Sequence, residues 1–553
     1  MLRFTVFQPA LSADGQPSQP NGWRLAHANS VGPDDLALPA EIEMDDSTLT
    51  CIPRLDGSCA VSLQYPIDGF GSLTVRTCLL PERNEPYLLS LELARHRVMQ
   101  VLNKIEEWAL FDQPASEPAI AAVEKAREAF TSALHAIRAA GGGFTPEADA
   151  SARAALALAM DAGEQLAQLH SRVQHTRRIT GELAAMAAKP PPPNALTDHE
   201  SRRARSAISG AAGVFIVDMP RVGCNVHTGA FAEPLCAAVV QSCDFVTLPM
   251  RWIDMEPTEG KYAFAKTDKW IEWAVLKAKL PVTAGPVLDL SPSAVPDWLY
   301  IWEHDYETLR DVVIAYIKTI VTRYRRTVNT WTICSGLNTG LHFSLNYEQA
   351  LDLTRTCVLL CKKLHPQGRV QVELVQPWGE YTARPKGQSA TPPLVYGEML
   401  KQLQVPLDAV SLRVQMGRPE FGCSTRDLME LSDLIDHLGG LDLPISLSLA
   451  GVPASPPPPA DLGEESELDP GFYRQPWSPE SQARWLRAAG AAVAGKCCVQ
   501  SLCWQELYDA PGDGNGGLMT SAGQPRPALA ALTELRQSLK ERRPALPGHD
   551  GIW

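Results

Sequence analysis

From residue 214 to residue 504 eight short β-type segments recur, most of them followed by a stretch with helical periodicity, and this alternation limits the fold more than any other feature of the chain. The segments lie at 214–218, 245–248, 282–288, 330–334, 370–375, 409–414, 445–449 and 499–504. Intervening helices are expected at 267–279, 306–324, 347–364, 393–404, 425–438 and 479–494. Parallel strands need long crossover connections, usually helices. Eight such units over about 300 residues suit a (β/α)8 barrel, in which the loops at the strand C-termini carry the site. The competing arrangement is a doubly wound open sheet. It usually shows a Gly-rich phosphate turn after an early strand, and neither G-x-G-x-x-G nor G-x-x-x-x-G-K-[ST] occurs here.

Upstream of this region the pattern is different. Residues 2–7, 41–43, 48–52, 60–65 and 73–79 are β-rich pieces punctuated by Asp56-Gly57, Pro66, Gly69 and Gly71, which predicts a small β-sandwich over residues 1–85. From Pro86, apolar residues such as Leu91, Val98, Val101, Leu102 and Ile105 recur mostly at three- and four-residue spacing, the mark of an amphipathic helix. Stretches 117–140 and 146–188 follow, the first ending at Gly141, Gly142 and Gly143. Together they predict a long helical hairpin over 86–189. The prolines 190–193 then open a stiff linker over 190–209, and the barrel is expected over 210–540.

Charge and composition remove several function classes. Asp plus Glu number 63 against 50 for Lys plus Arg, a formal net charge of −13, so the surface repels phosphate backbones and anionic lipid and no nucleic-acid partner is expected. No apolar run approaches the roughly 20 residues that cross a bilayer. Even residues 154–160 are followed at once by Asp161, so no membrane association is expected. The first ten residues lack an apolar h-region and a small-residue cleavage site, which favours a cytoplasmic location. Thirteen cysteines are an odd number for a disulfide framework, and most lie in apolar runs, as buried free thiols do. Cys357 and Cys361 are four apart on a helix but have no His or Cys nearby in sequence; no metal and no cofactor are expected.

The run FVTLPMRWIDMEPTEGKYAF at 245–264 carries Met250, Arg251, Trp252, Glu256, Pro257, Gly260, Tyr262 and Phe264 at a distinctive spacing, with Asp268 just beyond. It resembles the second-strand signature of glycoside hydrolase family 10, T-P-E-N-E-M-K-W-x-x-x-E-P-x-x-G-x-F-x-F. Residues 285–298 resemble the family's third-strand segment, with Pro296 and Trp298 kept, and YRRTVNTW at 324–331 resembles the approach to its W-D-V-V-N-E. Residues 407–415 and 443–449 resemble the sixth and seventh strands, and Trp504 with GLMTSAGQPRPALAAL at 517–532 resembles the closing segment. The resemblance spans about residues 210–535 and implies a (β/α)8 barrel that acts on xylan-type glycosides; because such barrels are often preceded by a carbohydrate-binding β-module, it also implies that residues 1–85 are a module of that kind.

The residues that perform the family's reaction do not carry over. A retaining glycosidase needs two carboxyl groups about 5–5.5 Å apart, one as acid/base and one as nucleophile. Along the resemblance the acid/base Glu falls on Gly336 and its preceding Asn on Ser335. The nucleophile falls on Leu447, or on Ser446 or Ser448 with a one-residue slip. The sugar-binding residues change as well, to Thr247, Leu248 and Pro249 on the second strand and to Pro286, Leu290 and Ser291 on the third. None of these supplies a tuned proton or a stable glycosyl ester.

Other carboxylates and aromatics remain as candidates. Glu373 lies on the fifth strand, with Trp378, Glu380 and Tyr381 in the loop after it, a composition suited to a sugar: a flat face and hydroxyl acceptors. In the plainer reading Trp378 plugs the barrel. Asp289, Glu373, Glu506 and Asp509 could assemble a displaced catalytic pair. Arg413 and Gln415 alternate on the sixth strand and are expected to point inward, toward a sugar or toward Glu373. Trp504 ends the eighth strand, and Asn338, His342 and Asn346 follow the fourth.

Three functions follow from these residues. The first is a catalytically degenerate family-10-like protein with a carbohydrate-binding or scaffolding role. The second is an active glycosidase or carbohydrate-modifying enzyme using displaced carboxylates. The third is a structural protein that binds a protein partner through residues 86–189, a role that an exposed apolar stripe along the hairpin would favour.

Overall fold

The computed structural model describes residues 1–7, 25–45, 47–54, 57–183, 218–340, 343–383, 390–418, 420–450, 452–456, 471–510 and 515–549. The predicted linker at 190–209 and His342 lie outside them.

The N-terminal segment folds into two four-stranded sheets. One has the order β4-β5-β1-β8 and comprises β1 (Leu2–Thr5), β4 (Ala40–Asp45), β5 (Thr48–Pro53) and β8 (Tyr87–Leu88). The other has the order β3-β2-β6-β7 and comprises β2 (Asn29–Val31), β3 (Ala37–Leu38), β6 (Ala60–Ile67) and β7 (Gly71–Arg76). Phe4, Leu49, Val61, Leu63 and Leu73 are fully buried, giving this small β-sandwich its core. The short strands β2, β3 and β8 were not anticipated, because two or three residues carry too little periodicity to register.

Three helices follow: α1 (Leu89–Glu107), α2 (Pro118–Ala139) and α3 (Pro146–Ile179). They are not free-standing. In α3 the side chains of Ala155, Leu156, Met160 and Leu166 are buried, and Gln168 and Ser171 donate to the Ala488 and Ala491 carbonyls of the helix Pro479–Ala494. Arg178 donates to the carbonyls of Ala494 and Lys496, at 2.7 and 2.6 Å, so a guanidinium closes the C-terminal, partially negative end of that helix. At Gly163 a Cβ would stand 2.5 Å from the Met429 sulfur; its absence lets α3 approach the helix Leu428–Gly439. Much of the apolar face of α3 is therefore covered from within the chain, while Met99, Leu102, Leu134 and Leu158 of the three helices stay exposed.

The barrel is a closed parallel sheet: β9 (Arg221–Asn225), β10 (Phe245–Leu248), β11 (Val282–Ala284), β12 (Leu288–Asp289), β13 (Thr330–Ser335), β14 (Arg369–Val375), β15 (Ala409–Gln415), β16 (Ile445–Ala450) and β17 (Val499–Trp504), with β17 pairing back to β9. β11 and β12 are one broken third strand, so eight staves close the ring. The sequence places the first stave at 214–218, most of which lies outside the described residues; the observed first strand is Arg221–Asn225. The other seven staves and the helices Tyr306–Tyr324, Tyr347–Leu364 and Pro479–Ala494 stand where their periodicity put them. Two of these helices open on capping boxes, at Asn346 and Ser478. The helix expected from 425 begins at Leu428, because the Asp427 side chain accepts from the Glu430 N–H and caps it. Helices Glu233–Ser242 and Pro527–Lys540 were not anticipated. No described helix is long and apolar enough to cross a membrane, and all thirteen cysteines are free thiols, only Cys78 being appreciably exposed.

Candidate functional site

The parallel register brings one ring of side chains to the same level near the C-terminal end of the barrel. Asp289 pairs with Ser335, Ser335 with Glu373, and Glu373 with Ser411 across successive strands. Because alternate residues of a strand face one side of the sheet, Arg413, two residues beyond Ser411, points inward one level higher. From there its Nη2 donates to Glu373 Oε2 at 2.5 Å and to Ser335 Oγ at 3.1 Å, and lies 3.9 Å from Asp289. Ser335 Oγ also donates to Glu373 Oε2 at 2.8 Å. The Glu373 side chain is 5% exposed and that of Arg413 20%, so this pair is largely withdrawn from water. Burial alone would lower the Arg413 pKa; the charges of Glu373 and Asp289 outweigh it and hold the guanidinium above its ordinary value.

Above this layer Asp289, Ser291, Ser335, Gly336, Thr339 and Arg413 help line a mouth pocket of about 90 Å³. Gly336 directly follows β13, with a φ of +72°, and its N–H donates to the Glu373 carbonyl at 3.2 Å. Leu447 is the third residue of β16, 1% exposed and part of the hydrophobic core. Ser446 and Ser448 alternate with it and line the barrel interior. Of the positions singled out in the sequence, Gly336 thus stands at the rim, Leu447 is buried, and Ser446 and Ser448 face the interior.

The remaining candidates divide by the partners the tertiary structure gives them. Trp378 and Glu380 do not line the mouth pocket. They line a cleft of about 160 Å³ between the barrel and the sandwich, with Asn29, Asp35 and Arg76 on its far side. The Arg426 guanidinium lies 4.5 Å from the centre of the Trp378 ring and pairs with Glu380 at 2.5 Å, Glu380 being 4% and Arg426 5% exposed. The loop after β14 is tied to the sandwich by Thr382, which donates to the Ala37 carbonyl at 2.7 Å. A loop that reads as a sugar platform is in fact part of the domain junction.

Asn338 is fully buried and donates to the Val375 carbonyl and the Tyr381 hydroxyl, clamping the loop after β13 to the end of β14. Trp504 is 1% exposed and donates to the Gly516 carbonyl at 2.9 Å, so it belongs to the core and not to a ligand surface. Asp509 receives both Nη atoms of Arg526, at 2.8 and 2.5 Å, and fixes the C-terminal loop. Glu506 pairs with Arg418 at 3.4 Å. Gln415 ends β15, half-buried. Of the four carboxylates proposed as a displaced pair, only Asp289 and Glu373 meet, through Arg413. Ser335, named in the sequence only as the counterpart of the family's asparagine, and Ser411, not named there, complete their environment; the inward alternation of β13 and β15 is the signal that would have found Ser411.

The description "Glycosyl hydrolase family 10" belongs to the family model that matches residues 220–335, from β9 to the end of β13. Endo-1,4-beta-xylanase C of Paenibacillus barcinonensis is 34% identical over 90 residues, which are 15% of this chain and 8% of that protein. The chain thus matches a small fraction of that relative's length. Among solved structures, xylanase 10B of Thermotoga maritima is 15% identical with a TM-score of 0.44, covering 58% of this chain and 96% of that one. Xylanase10C of Cellvibrio japonicus is 14% identical with a TM-score of 0.44, covering 58% and 71%.

Proposed function

We propose that this chain is a family-10-like barrel with a carbohydrate-binding or scaffolding role that does not run the family's double-displacement hydrolysis. The observation that carries this reading is the sharing of one guanidinium by Asp289 and Glu373. Retaining hydrolysis needs one carboxyl as a proton donor and the other as a free nucleophile. The arginine donates to Glu373 Oε2, so that oxygen is already engaged, and it lies 3.9 Å from Asp289. The glycine and leucine at the matched positions supply no replacement.

A second reading is favoured by one observation: Arg413 lies between Asp289, at the mouth pocket, and Glu373, at the top of the barrel cavity, and a substrate that displaced the guanidinium would leave both carboxylates without their shared cation. One experiment separates the two. Purified protein is assayed on xylan and aryl xylosides beside an Asp289→Asn, Glu373→Gln double variant whose fold is checked by its thermal melt, and xylo-oligosaccharide binding is followed by calorimetric titration. Binding without turnover above the double variant is expected. The relatives named above are xylanases, and turnover abolished by the two changes would establish the enzyme reading instead.

A further inference from the structure

The interior of a (β/α)8 barrel is ordinarily filled by layers of Val, Ile and Leu. Here the inward positions include Thr247, Thr283, Gln371, Ser446, Ser448 and Ser501, and they surround a cavity of about 510 Å³. The residues beside them in the strands are sealed: Val246, Val282 and Leu502 are at most 1% exposed. Thr247, Thr283 and Ser501 nevertheless keep accessible surface. A side chain inside a closed ring of strands can reach solvent only through the ring's lumen, so the barrel is hollow.

The cavity has a direction. At its N-terminal end it is lined by Arg221, Gln367 and Arg369, all exposed. At its other end it reaches Glu373 and Ser411, beneath the Arg413 layer that belongs to the mouth pocket. Along one wall a relay of side chains is already oriented: Arg369 donates to Gln500 at 2.7 Å, Gln500 to Ser446 at 2.9 Å, Ser446 to Gln371 at 2.8 Å and Gln371 to Thr332 at 2.9 Å.

We propose that this lumen is a binding site, entered from the N-terminal rim of the barrel, for a small neutral polyhydroxylated molecule of monosaccharide or polyol size. The volume falls within the roughly 300–1,000 Å³ of small-molecule sites. An apolar ligand would displace water from the lining hydroxyls outside that relay, such as those of Thr283, Ser448 and Ser501, and give them nothing in return. A charged ligand would find deep in the lumen only Glu373, whose charge Arg413 already answers, and would lose its hydration uncompensated. The site is separate from the mouth and does not depend on whether the mouth binds or cleaves a glycan.

The test uses the full chain, with D-xylose, D-glucose and glycerol as probes in calorimetric titrations and thermal melts. Saturable binding of at least one probe is expected. Gln367→Trp, at an exposed rim position, and the lumen-filling pair Thr283→Leu, Ser501→Leu should each weaken it at least tenfold, whereas Ser291→Trp, which obstructs the mouth, should leave it unchanged. If the filling pair fails to fold, Gln367→Trp still decides. Absence of saturable binding for all three probes, leaving a lumen that holds water alone, overturns the proposal, as does binding lost in Ser291→Trp but kept in Gln367→Trp.

Discussion

Arg413 reaches back one level within the barrel to meet Glu373, Nη2 to Oε2 at 2.5 Å, although the residue opposite Arg413 in the strand ladder is Val375. That diagonal contact lies between the mouth pocket above and the barrel cavity below, and it pairs the Glu373 carboxylate with the Arg413 guanidinium.

Breaking this pair from one side should be costly. Arg413→Met leaves Glu373 as a buried carboxylate without its counter-charge, and loss of one partner of a buried pair costs about 3–5 kcal/mol. Adding Glu373→Leu should restore most of that loss, because the desolvated charge goes too. Urea unfolding of the two single variants and the double variant measures the coupling, and strictly additive losses would contradict it.

The Trp378→Ala variant is expected to act on stability and not on sugar binding. Its ring packs under Arg426 at the junction with the sandwich. The loss should be about 3 kcal/mol, the low end for deleting a large aromatic, since the ring is only partly buried. A thermal melt and a xylo-oligosaccharide titration of the same variant distinguish the two; weaker binding at an unchanged melting temperature would return Trp378 to the ligand surface.

Asp436 is expected to be among the most sensitive positions of the interface between α1–α3 and the barrel. Its Oδ2 accepts from Lys496 at 2.7 Å and from Trp108 Nε1 at 2.8 Å, and Lys496 is 1% exposed. Asp436→Ala would strand a buried ammonium and an indole N–H, for a loss of about 3–5 kcal/mol. Limited proteolysis within α1–α3 should accelerate in the variant, and unchanged cleavage would argue against this coupling.

Acid should weaken the fold before the carboxylates titrate. Burial and the neighbouring Arg76 charge push the His96 pKa down to about 4, and its Nε2 accepts from Arg76 Nε at 3.0 Å, which requires the neutral ring. Burial and His175 push His549 down to about 3. Below the ordinary value of 6.5 the unfolded chain therefore binds more protons than the folded one. Stability is fully present above that pH and is lost as pH falls toward about 4, by roughly 2–3 kcal/mol for His96 at about 1.4 kcal/mol per unit. Unfolding titrations at pH 7.5 and 4.5 measure the slope, and His96→Gln should flatten it.

The chain's own periodicity determined the barrel, because a strand's period of two and a helix's period of 3.6 are local properties that survive without knowledge of neighbours. Helices such as Tyr306–Tyr324 and Tyr347–Leu364 carry both the apolar face and the start signal within their own residues. The inward direction of Glu373 and Arg413 was likewise written in alternation. What they would touch was not. Trp378, Trp504, Asn338 and Asp509 have the composition of a sugar site and the positions of one, at or after strand C-termini, yet each is held by a partner distant in sequence or by the loop it anchors: Arg426, Gly516, Tyr381 and Arg526. Only tertiary structure decides whether a polar or aromatic side chain is satisfied by its own chain or left open to a ligand, because a hydrogen bond or a packed ring depends on distances of a few ångströms that no sequence spacing encodes. The sandwich docked on the loop after β14, α3 laid across the barrel helices and the lumen left by small polar residues are all of that kind.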